Sequence, residues 1–445
     1  MIHNPVNDKS PGGRRCVTDK GARRIRMWRI AGLTGLCLFL GALVAPNLEQ
    51  AFAQSQHQGG GHGGGHGGGH GGGHGMVAEE AKHFPSVADD ETKSIRPPQR
   101  KAAPDMAGNP EIGKQLAYNR SRGRCLSCHV LGPDSTQPGN VGPNLSDYGN
   151  SERSRAYTFQ HIWDARVHNR QSLMPPFGTN ELLSAHEVAH ITAYLATLTR
   201  PVDDPDRTSS PRRSRREKVF IAGVDLTDAD DYIEAGKAAF HQVGNNGRSC
   251  TSCHSAGKDG PDLEGVAATY PKFDADAGRI VAIQDRINRC RDTHMNSDPL
   301  KRGSARLNVL TSYIKYLSRD VPIQVATDGP AAQAIERGEQ RFRRKAGQLN
   351  FSCADCHTAA KGQWLRGQPL NSLDNTAGDW PKHFIAGHDL GQISLQQRIR
   401  HCQVVTRTFP LDLGSREYTE MELYLTALAN GEPVWAPTKS RLRGQ

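Results

Sequence analysis

Amphipathic segments recur along the chain in three pairs, and each pair frames a stretch of loop. Apolar residues at positions i, i+3, i+4 and i+7 give the closing segment of each pair one buried stripe, the pattern of a helix packed on a core. The opening segments start with Glu-x-Gly and the closing segments contain Tyr-Leu, at Glu111 and Tyr194, Glu234 and Tyr316, and Glu336 and Tyr424. These pairs predict an all-α chain built from three repeated units of about 100 residues.

A C-x-x-C-H motif lies between the two helices of every unit, 12, 14 and 15 residues after the glycine of the opening helix. Two thiols one helical turn apart can add across the two vinyl groups of a haem, and the histidine that follows then supplies an iron ligand. A single copy could be a redox dithiol or half of a zinc site. Three copies without a fourth-ligand pattern for zinc predict three covalently bound haem c groups. The predicted residues are Cys125, Cys128 and His129; Cys250, Cys253 and His254; and Cys353, Cys356 and His357.

The order of helix, haem loop and packing helix resembles class I c-type cytochromes. Proline, serine and alternating charge mark residues 201–217 as an exposed linker, and a shorter joint follows Pro322. We therefore expect a monohaem domain at 107–200 and a tandem dihaem domain made of units at 218–322 and 323–435, with a tail at 436–445. The last two units should pack together, with the first tethered to them or docked on them.

The first 53 residues have the three parts of an export signal. Six arginines between Arg14 and Arg29 precede an apolar run that ends near Pro46, and an A-x-A cleavage pattern closes at Ala53. The apolar run is shorter than the roughly 20 residues that span a bilayer as a helix. The segment predicts a cleaved signal peptide and a periplasmic protein, with an uncleaved anchor as the alternative.

Repeated Gly-Gly-Gly-His units follow, within residues 54–106. Glycine prevents a packed core, so this segment is predicted to be a flexible linker. Its imidazoles could gather an additional soft divalent metal, and the candidates are His62, His66, His70 and His74. Because nothing preorganises these ligands, a plain disordered spacer is the alternative.

The charge balance excludes one class of partner. The chain has 56 basic and 46 acidic side chains, of which 8 and 3 lie in the first 53 residues. The rest is close to balance, and no basic patch is interleaved with aromatic residues, so nucleic acid is not an expected partner.

The second iron ligand distinguishes the first unit from the other two. Met174 begins a proline-rich turn 45 residues after His129, just before the closing helix. A thioether held by a rigid turn is typical of electron-carrying cytochromes, because it raises the reduction potential. The alternative is a methionine of the core. The first unit is therefore predicted to be an electron carrier.

The second and third units have one spare cysteine each instead. Cys290 and Cys402 end the same pattern, Q-x-R-I-x-x-C, 36 residues after His254 and 45 after His357. Thiolate is a strong anionic donor that lowers the iron potential, so both are predicted axial ligands. Two alternatives stay open. The cysteines could form a disulfide with each other, or a neighbour could be the ligand, namely His294, Met295 or His401.

An arginine precedes each spare cysteine by four residues, so Arg286 and Arg398 would share a helix face with Cys290 and Cys402. A guanidinium there favours thiolate and offers a bidentate contact for an oxyanion such as a sulfonate. The alternative is a surface salt bridge. The repeat alone does not say which of the two sites is catalytic.

On these residues the chain resembles the SoxAX cytochromes of bacterial sulfur oxidation, as a fusion of the two subunits. Residues 107–200 resemble monohaem SoxX, and residues 218–435 resemble dihaem SoxA. The resemblance implies an L-cysteine S-thiosulfotransferase that couples thiosulfate to a carrier cysteine on SoxYZ and passes two electrons to a soluble cytochrome c. It also implies that Cys402 carries a persulfide, that Arg398 binds substrate and that Cys290 is a ligand without a reacting role. The fusion and the Gly/His tract depart from the usual family pattern.

Three other functions compete. A thiosulfate dehydrogenase also has a cysteine-ligated haem, but it releases tetrathionate. A multihaem electron carrier would have no chemistry of its own. A dihaem peroxidase needs an open iron position, which the spare cysteines would fill.

Overall fold

The computed structural model describes residues 96–205, 230–254, 262–374, 377–382 and 392–437 in full. It describes the backbone alone at 220–221, 224–225, 229, 383–386, 389–391 and 438–439. The predicted signal peptide and the Gly/His tract lie outside the described residues and stay predictions. Within those ranges, no helix combines the length and apolar character that crossing a bilayer requires.

Nine α-helices supply most of the regular secondary structure of the described residues. They are α1 Pro110–Tyr118, α2 Arg155–Trp163, α3 Ala185–Ala196, α4 Ala229–His241, α5 Ile283–Met295, α6 Ala305–Tyr316, α7 Gly329–Arg343, α8 Leu395–Val405 and α9 Arg416–Ala427. Side-chain caps fix several of the starts. The Asn109 side chain accepts from two amides at the start of α1, and Ser184 with Glu187 forms a capping box at the start of α3.

Short strands add to the expected all-α fold. They are β1 Phe220–Ile221, β2 Val224–Asp225, β3 Lys272–Asp274, β4 Arg279–Val281, β5 Trp364–Leu365, β6 Gln368–Pro369, β7 Lys382–Ala386, β8 Asp389–Ile393 and β9 Thr438–Lys439. The first eight pair as antiparallel hairpins, and β9 pairs parallel to β7. The expected tail at 436–445 therefore begins with a strand that extends a sheet.

Two expected boundaries also shift. The flexible linker expected through residue 106 ends earlier, because the amides of Gln99 and Lys101 donate to side chains of Asp164 and Gln160 at α2. The exposed linker expected from 201 starts later, because the Val202 amide donates to Ser146 Oγ at 2.9 Å.

Helices α4 and α7 begin before their Glu-x-Gly, at Ala229 and Gly329. Local polar contacts of this kind leave no periodic signal in the sequence.

Each opening helix crosses its closing helix at the glycine of Glu-x-Gly: α1 packs on α3, α4 on α6, and α7 on α9. A Cβ at Gly113 or Gly236 would overlap the carbonyl oxygen of His190 or Val309, and a Cβ at Gly338 would lie 2.5 Å from the carbonyl oxygen of Glu420. The helix backbones are thus in direct contact. Only glycine permits this approach.

The second and third segments, residues 230–322 and 323–437, share a core. Ala268 and Ile280 of the second segment pack in one buried cluster with Val325, Leu423 and Val434 of the third. Backbone hydrogen bonds join the same region, from Asp320 N to Val434 O and from Val434 N to Val321 O. These two segments form one continuous body.

The first segment, residues 107–200, is docked on the third. Leu349 belongs to the same buried cluster as Phe159 and Val188 of the first segment. Asn180 and Gln348 exchange side chain-to-backbone hydrogen bonds of 2.8 and 2.9 Å. The interface therefore combines apolar burial with paired polar contacts.

Gly338→Ala tests the helix crossing. Alanine normally stabilises a helix interior by about 0.5–1 kcal/mol relative to glycine. Here the methyl group meets the α9 backbone, so we expect the free energy of unfolding to fall by about 1–3 kcal/mol. Chemical denaturation measures it, with the exposed Gln333→Ala on α7 as the control. Equal stability of the two variants would contradict the crossing.

Candidate functional site

The first two C-x-x-C-H motifs form the same short turn. Cys125–Ser127 and Cys250–Ser252 are single 3-10 turns. His129 N and His254 N each donate to the carbonyl of the first cysteine of their motif, both at 2.9 Å. This turn brings the two thiols and the histidine of each motif onto one local surface, as covalent haem attachment requires.

The third motif has a different backbone conformation. Asp355–Ala359 forms a π-helical turn that contains Cys356 and His357. It is fixed at its start by reciprocal hydrogen bonds between Ser352 and Asp355. Such wide turns are frequent at functional sites.

Two of the motif histidines make the same kind of contact with a backbone carbonyl, which the sequence analysis missed. His129 Nδ1 lies 2.7 Å from the carbonyl oxygen of Pro143, and His357 Nδ1 lies 2.8 Å from that of Asn371. Both carbonyls come 14 residues after the histidine. This bond fixes the ring and leaves Nε2 for a metal. The equal spacing between each histidine and its carbonyl was a sequence feature that could have predicted this contact.

The surroundings of the motifs fit a haem. Burial raises the pKa of the motif thiols, to about 12 for Cys125, Cys128 and Cys353 and to about 11 for Cys250 and Cys356. Trp163 Nε1 is buried and has no acceptor among the described residues. A buried donor of this kind suits a haem carboxylate. Neutral thiols in apolar surroundings suit the macrocycle itself.

Met174 lies in a turn that Trp163 holds. A Cβ at Gly178 would overlap the Trp163 ring, and Gly178 N donates to Trp163 O at 2.9 Å. Met174 packs against the same buried cluster as Cys125. The thioether is therefore on the core side of the first segment, where an axial ligand is required.

Each spare cysteine lies beside the motif of its own segment. Cys290 on α5 is close enough to Cys250 for its charge to affect the thiol pKa, and Cys402 on α8 has the same relation to Cys353 and Cys356. All eight described cysteines are free thiols, so Cys290 and Cys402 are not joined by a disulfide. His294 is exposed and Met295 is buried.

The two arginines of the repeat differ in their surroundings. Arg286 is exposed, and it faces the carboxylate of Asp274, whose pKa is lowered by a hydrogen bond from Ala277 N and by nearby arginines. Arg398 is half-buried. Its charge reaches His357, whose pKa is lowered mainly by burial, and Arg366. At the Cys402 site the repeat arginine is thus sheltered and Arg366 adds further positive charge, whereas at the Cys290 site the repeat arginine is exposed.

Together the turns, buried thiols and oriented histidines define a c-type cytochrome, whose domains hold covalent haem c. Residues 235–323 match the family described as SoxA/TsdA, cytochrome c domain, and residues 108–195 match the family described as cytochrome C oxidase, cbb3-type, subunit III. The chain belongs to the SoxA family and is a cytochrome of the SoxAX type.

Relatives in this family carry the name L-cysteine S-thiosulfotransferase subunit SoxA. The chain is 33% identical to that of Pseudaminobacter salicylatoxidans over 47% of this chain and 75% of the relative. It is 30% identical to that of Rhodovulum sulfidophilum over 46% of this chain and 70% of the relative. The crystal structure of SoxXA from P. pantotrophus is 29% identical, with a TM-score of 0.43, over 46% of this chain and 76% of that chain.

Gly142→Ala tests the position of His129. A Cβ at Gly142 would overlap the His129 ring, whereas one at Gly132 in the same loop would meet nothing closer than 3.5 Å. We expect Gly142→Ala to displace the ring, to increase the high-spin fraction in the absorbance spectrum and to lower stability by about 1–3 kcal/mol. Gly132→Ala should resemble the wild type. Identical spectra for both variants would contradict this role of the glycine.

Proposed function

We propose that the chain is a three-haem thiosulfate-oxidising L-cysteine S-thiosulfotransferase of the periplasm, with its reacting site at Cys402. The main support is a difference in exposure between the two repeat arginines. Arg398, beside the third attachment motif, is half-buried, whereas Arg286, beside the second, is exposed. An anionic substrate needs positive charge at a site where water is excluded, because charge interactions are strongest there. Family membership and the names of its relatives support the same activity.

The proposed reaction joins thiosulfate to the thiol of a SoxYZ-type carrier. It reads R–SH + S2O3²⁻ → R–S–S–SO3⁻ + H⁺ + 2 e⁻, where R is the carrier protein. One S–S bond forms, one S–H bond breaks and the proton leaves to solvent. The two electrons require an acceptor, for which we propose a soluble cytochrome c.

Residues of the third segment have separate roles in the proposed reaction. Arg398 binds the sulfonate through its planar guanidinium, which matches two oxyanion oxygens. Cys402, as a thiolate or persulfide, meets the outer sulfur and orients it towards the carrier thiol. Holding the reactants in this orientation replaces the collision of two separate anions with a reaction between neighbouring groups. Cys353 and Cys356 lie next to Cys402 and tie the reacting sulfur to the third haem position.

The haems supply one-electron acceptor sites when bound. We propose attachment at all three motifs, with axial pairs formed by His129 and Met174, His254 and Cys290, and His357 and Cys402. The first segment is docked directly on the third. This contact supports its role as the exit for electrons towards the soluble cytochrome c.

Intact mass spectrometry tests the cofactor count. We expect the mature protein to have the mass of the chain after cleavage near Ala53 plus three haems, because each motif has two thiols in the attachment turn. Peptide mapping should find an extra sulfur atom on the Cys402 peptide. A mass with fewer haems, or a Cys402 peptide linked to that of Cys290, would contradict the proposal.

The equivalent cysteines form a matched pair for kinetics. We expect Cys402→Ala to lower carrier-dependent thiosulfate oxidation by at least about 100-fold, as removal of a reacting group does. Cys290→Ala should change the second haem spectrum and lower turnover by no more than about tenfold.

The product decides between activities. Carrier-bound S-sulfonate, formed only with the carrier, supports the transferase. Tetrathionate as the product with or without carrier would instead identify a thiosulfate dehydrogenase. Equal losses in the two cysteine variants would contradict the assignment of the site to Cys402.

A further inference from the structure

A short loop of the third segment projects into the first. This docking loop, residues 346–351, is closed by reciprocal backbone hydrogen bonds between Ala346 and Phe351, at 3.0 and 3.2 Å. Gly347 and Asn350 within it have left-handed backbones, with φ of +70° and +56°. Glycine and asparagine adopt this conformation more readily than other residues. The docking loop is therefore a tight, closed turn that its own sequence supports.

The docking loop reaches the methionine turn, residues 174–178 of the first segment. Leu349 is buried in the same apolar cluster as Phe177 of that turn. Phe351 and Met174 both pack against this cluster. The apolar cluster on which Met174 lies therefore contains residues of both segments.

Asn180 links the methionine turn to the docking loop. Its amide nitrogen donates to the carbonyl oxygen of Pro176 at 2.9 Å. Its side-chain Nδ2 donates to the carbonyl oxygen of Gln348 at 2.8 Å, and its own carbonyl oxygen accepts from Gln348 Nε2 at 2.9 Å. Because Asn180 is buried, loss of one of these bonds would leave a polar group without water as a substitute partner.

The first segment anchors the preceding residue, Thr179, from its own side. The Thr179 hydroxyl donates to Asp164 Oδ2 at 2.7 Å, and Arg166 donates to the same carboxylate through bonds of 2.8 and 2.9 Å. All three side chains are buried. The chain after the methionine turn is thus held by the first segment at Thr179 and by the third segment at Asn180.

Gln348 is fixed in turn by Arg407. Gln348 N donates to the carbonyl oxygen of Arg407 at 3.0 Å, and Gln348 Oε1 accepts from Arg407 Nη1 at 3.1 Å. A guanidinium can only donate, so this contact sets the orientation of the Gln348 amide and directs Nε2 to Asn180. Arg407 N donates to the carbonyl oxygen of Val404 on α8, the helix that carries Cys402. The docking loop is therefore itself well anchored.

We propose that the docking loop positions Met174 as the axial ligand of the first haem iron, with Asn180 and Gln348 as positioning residues. This inference rests on the proposed function, which assigns that ligand to Met174. A thioether is an uncharged donor that a competing ligand can displace, so the turn that carries it must be held in place. Thioether ligation also raises the reduction potential. The first haem then has its full potential as an electron exit only when the first and third segments are docked.

Imidazole, which competes with a thioether for haem iron, probes the Met174 bond in the full-length haem-loaded protein. We expect Asn180→Ala to shift the equilibrium towards detached Met174 by about tenfold, as loss of a buried hydrogen bond predicts. Imidazole should then bind the first haem about tenfold more tightly, because it binds only after the thioether has left. Absorbance titration measures this affinity. A redox titration should show a lower potential of the first haem.

Met174→Ala is the reference for complete detachment. It identifies the part of the imidazole titration that belongs to the first haem. It also gives the imidazole affinity of that iron when no thioether competes.

Asn140→Ala is the matched control. Asn140 is also an asparagine of the first segment that contacts the backbone of the third, because its Oδ1 accepts from Trp364 N at 2.6 Å. It lies outside the methionine turn. Asn140→Ala should lower the melting temperature as Asn180→Ala does, but it should keep the wild-type imidazole affinity. Gln348→Ala, on the other side of the contact, is the second variant should Asn180→Ala fail to fold.

The outcomes separate this proposal from the proposed function. Unchanged imidazole affinity in Asn180→Ala and Gln348→Ala would overturn the positioning role. An equal increase in Asn140→Ala would overturn it too, because general weakening of the interface would then suffice. Unchanged imidazole affinity in Met174→Ala would instead overturn the ligand assignment. Tighter imidazole binding in Asn180→Ala, without carrier-dependent turnover by the wild type, would support the positioning role and overturn the transferase activity.

Discussion

Direct contact between helix backbones is the constraint on which the rest of the structure depends. At Gly113, Gly236 and Gly338 the opening helix lies against the closing helix with no side chain between them. This fixes the distance and angle of each helix pair, and the loop that joins them must then cover the remaining apolar face. The attachment motifs lie in that loop. A large apolar cofactor completes these small cores. The buried thiols of the motifs lie in apolar surroundings that suit such a cofactor.

Docking of the first segment on the third makes an interface between two segments of one chain. Leu349 enters the buried cluster of the first segment, while Asn180 and Gln348 pair their polar groups at the edge of the interface. Because the segments are covalently connected, their association does not depend on protein concentration. The interface therefore stays assembled in dilute solution.

The sequence predicted the local features well and the tertiary ones poorly. Spacing located the attachment turns, and the structure has Cys290 and Cys402, which end the repeated Q-x-R-I-x-x-C pattern, on helices near their motifs. The second and third segments share a buried core, to which residues far apart in sequence contribute. The difference between Arg286 and Arg398 had no signal, because exposure depends on neighbours distant in sequence. The short strands were missed because segments of two to five residues leave no periodic pattern.

Equivalent sequences acquire different surroundings here because their neighbours differ. Beside Cys290, the buried Arg291 donates to the carbonyl oxygen of Asp298, so this positive charge is engaged within its own segment. The matching position beside Cys402 is Gln403, which accepts a hydrogen bond from the Tyr418 hydroxyl. Positive charge at the third motif comes instead from Arg366, which acts on the Cys356 thiol and is itself affected by Arg120 across the interface. The docked segment therefore changes the electrostatics of one repeat and leaves the sequence pattern of both intact. On the proposed assignment of the reacting sulfur to Cys402, docking of the first segment on only one of the two repeats accounts for their different roles.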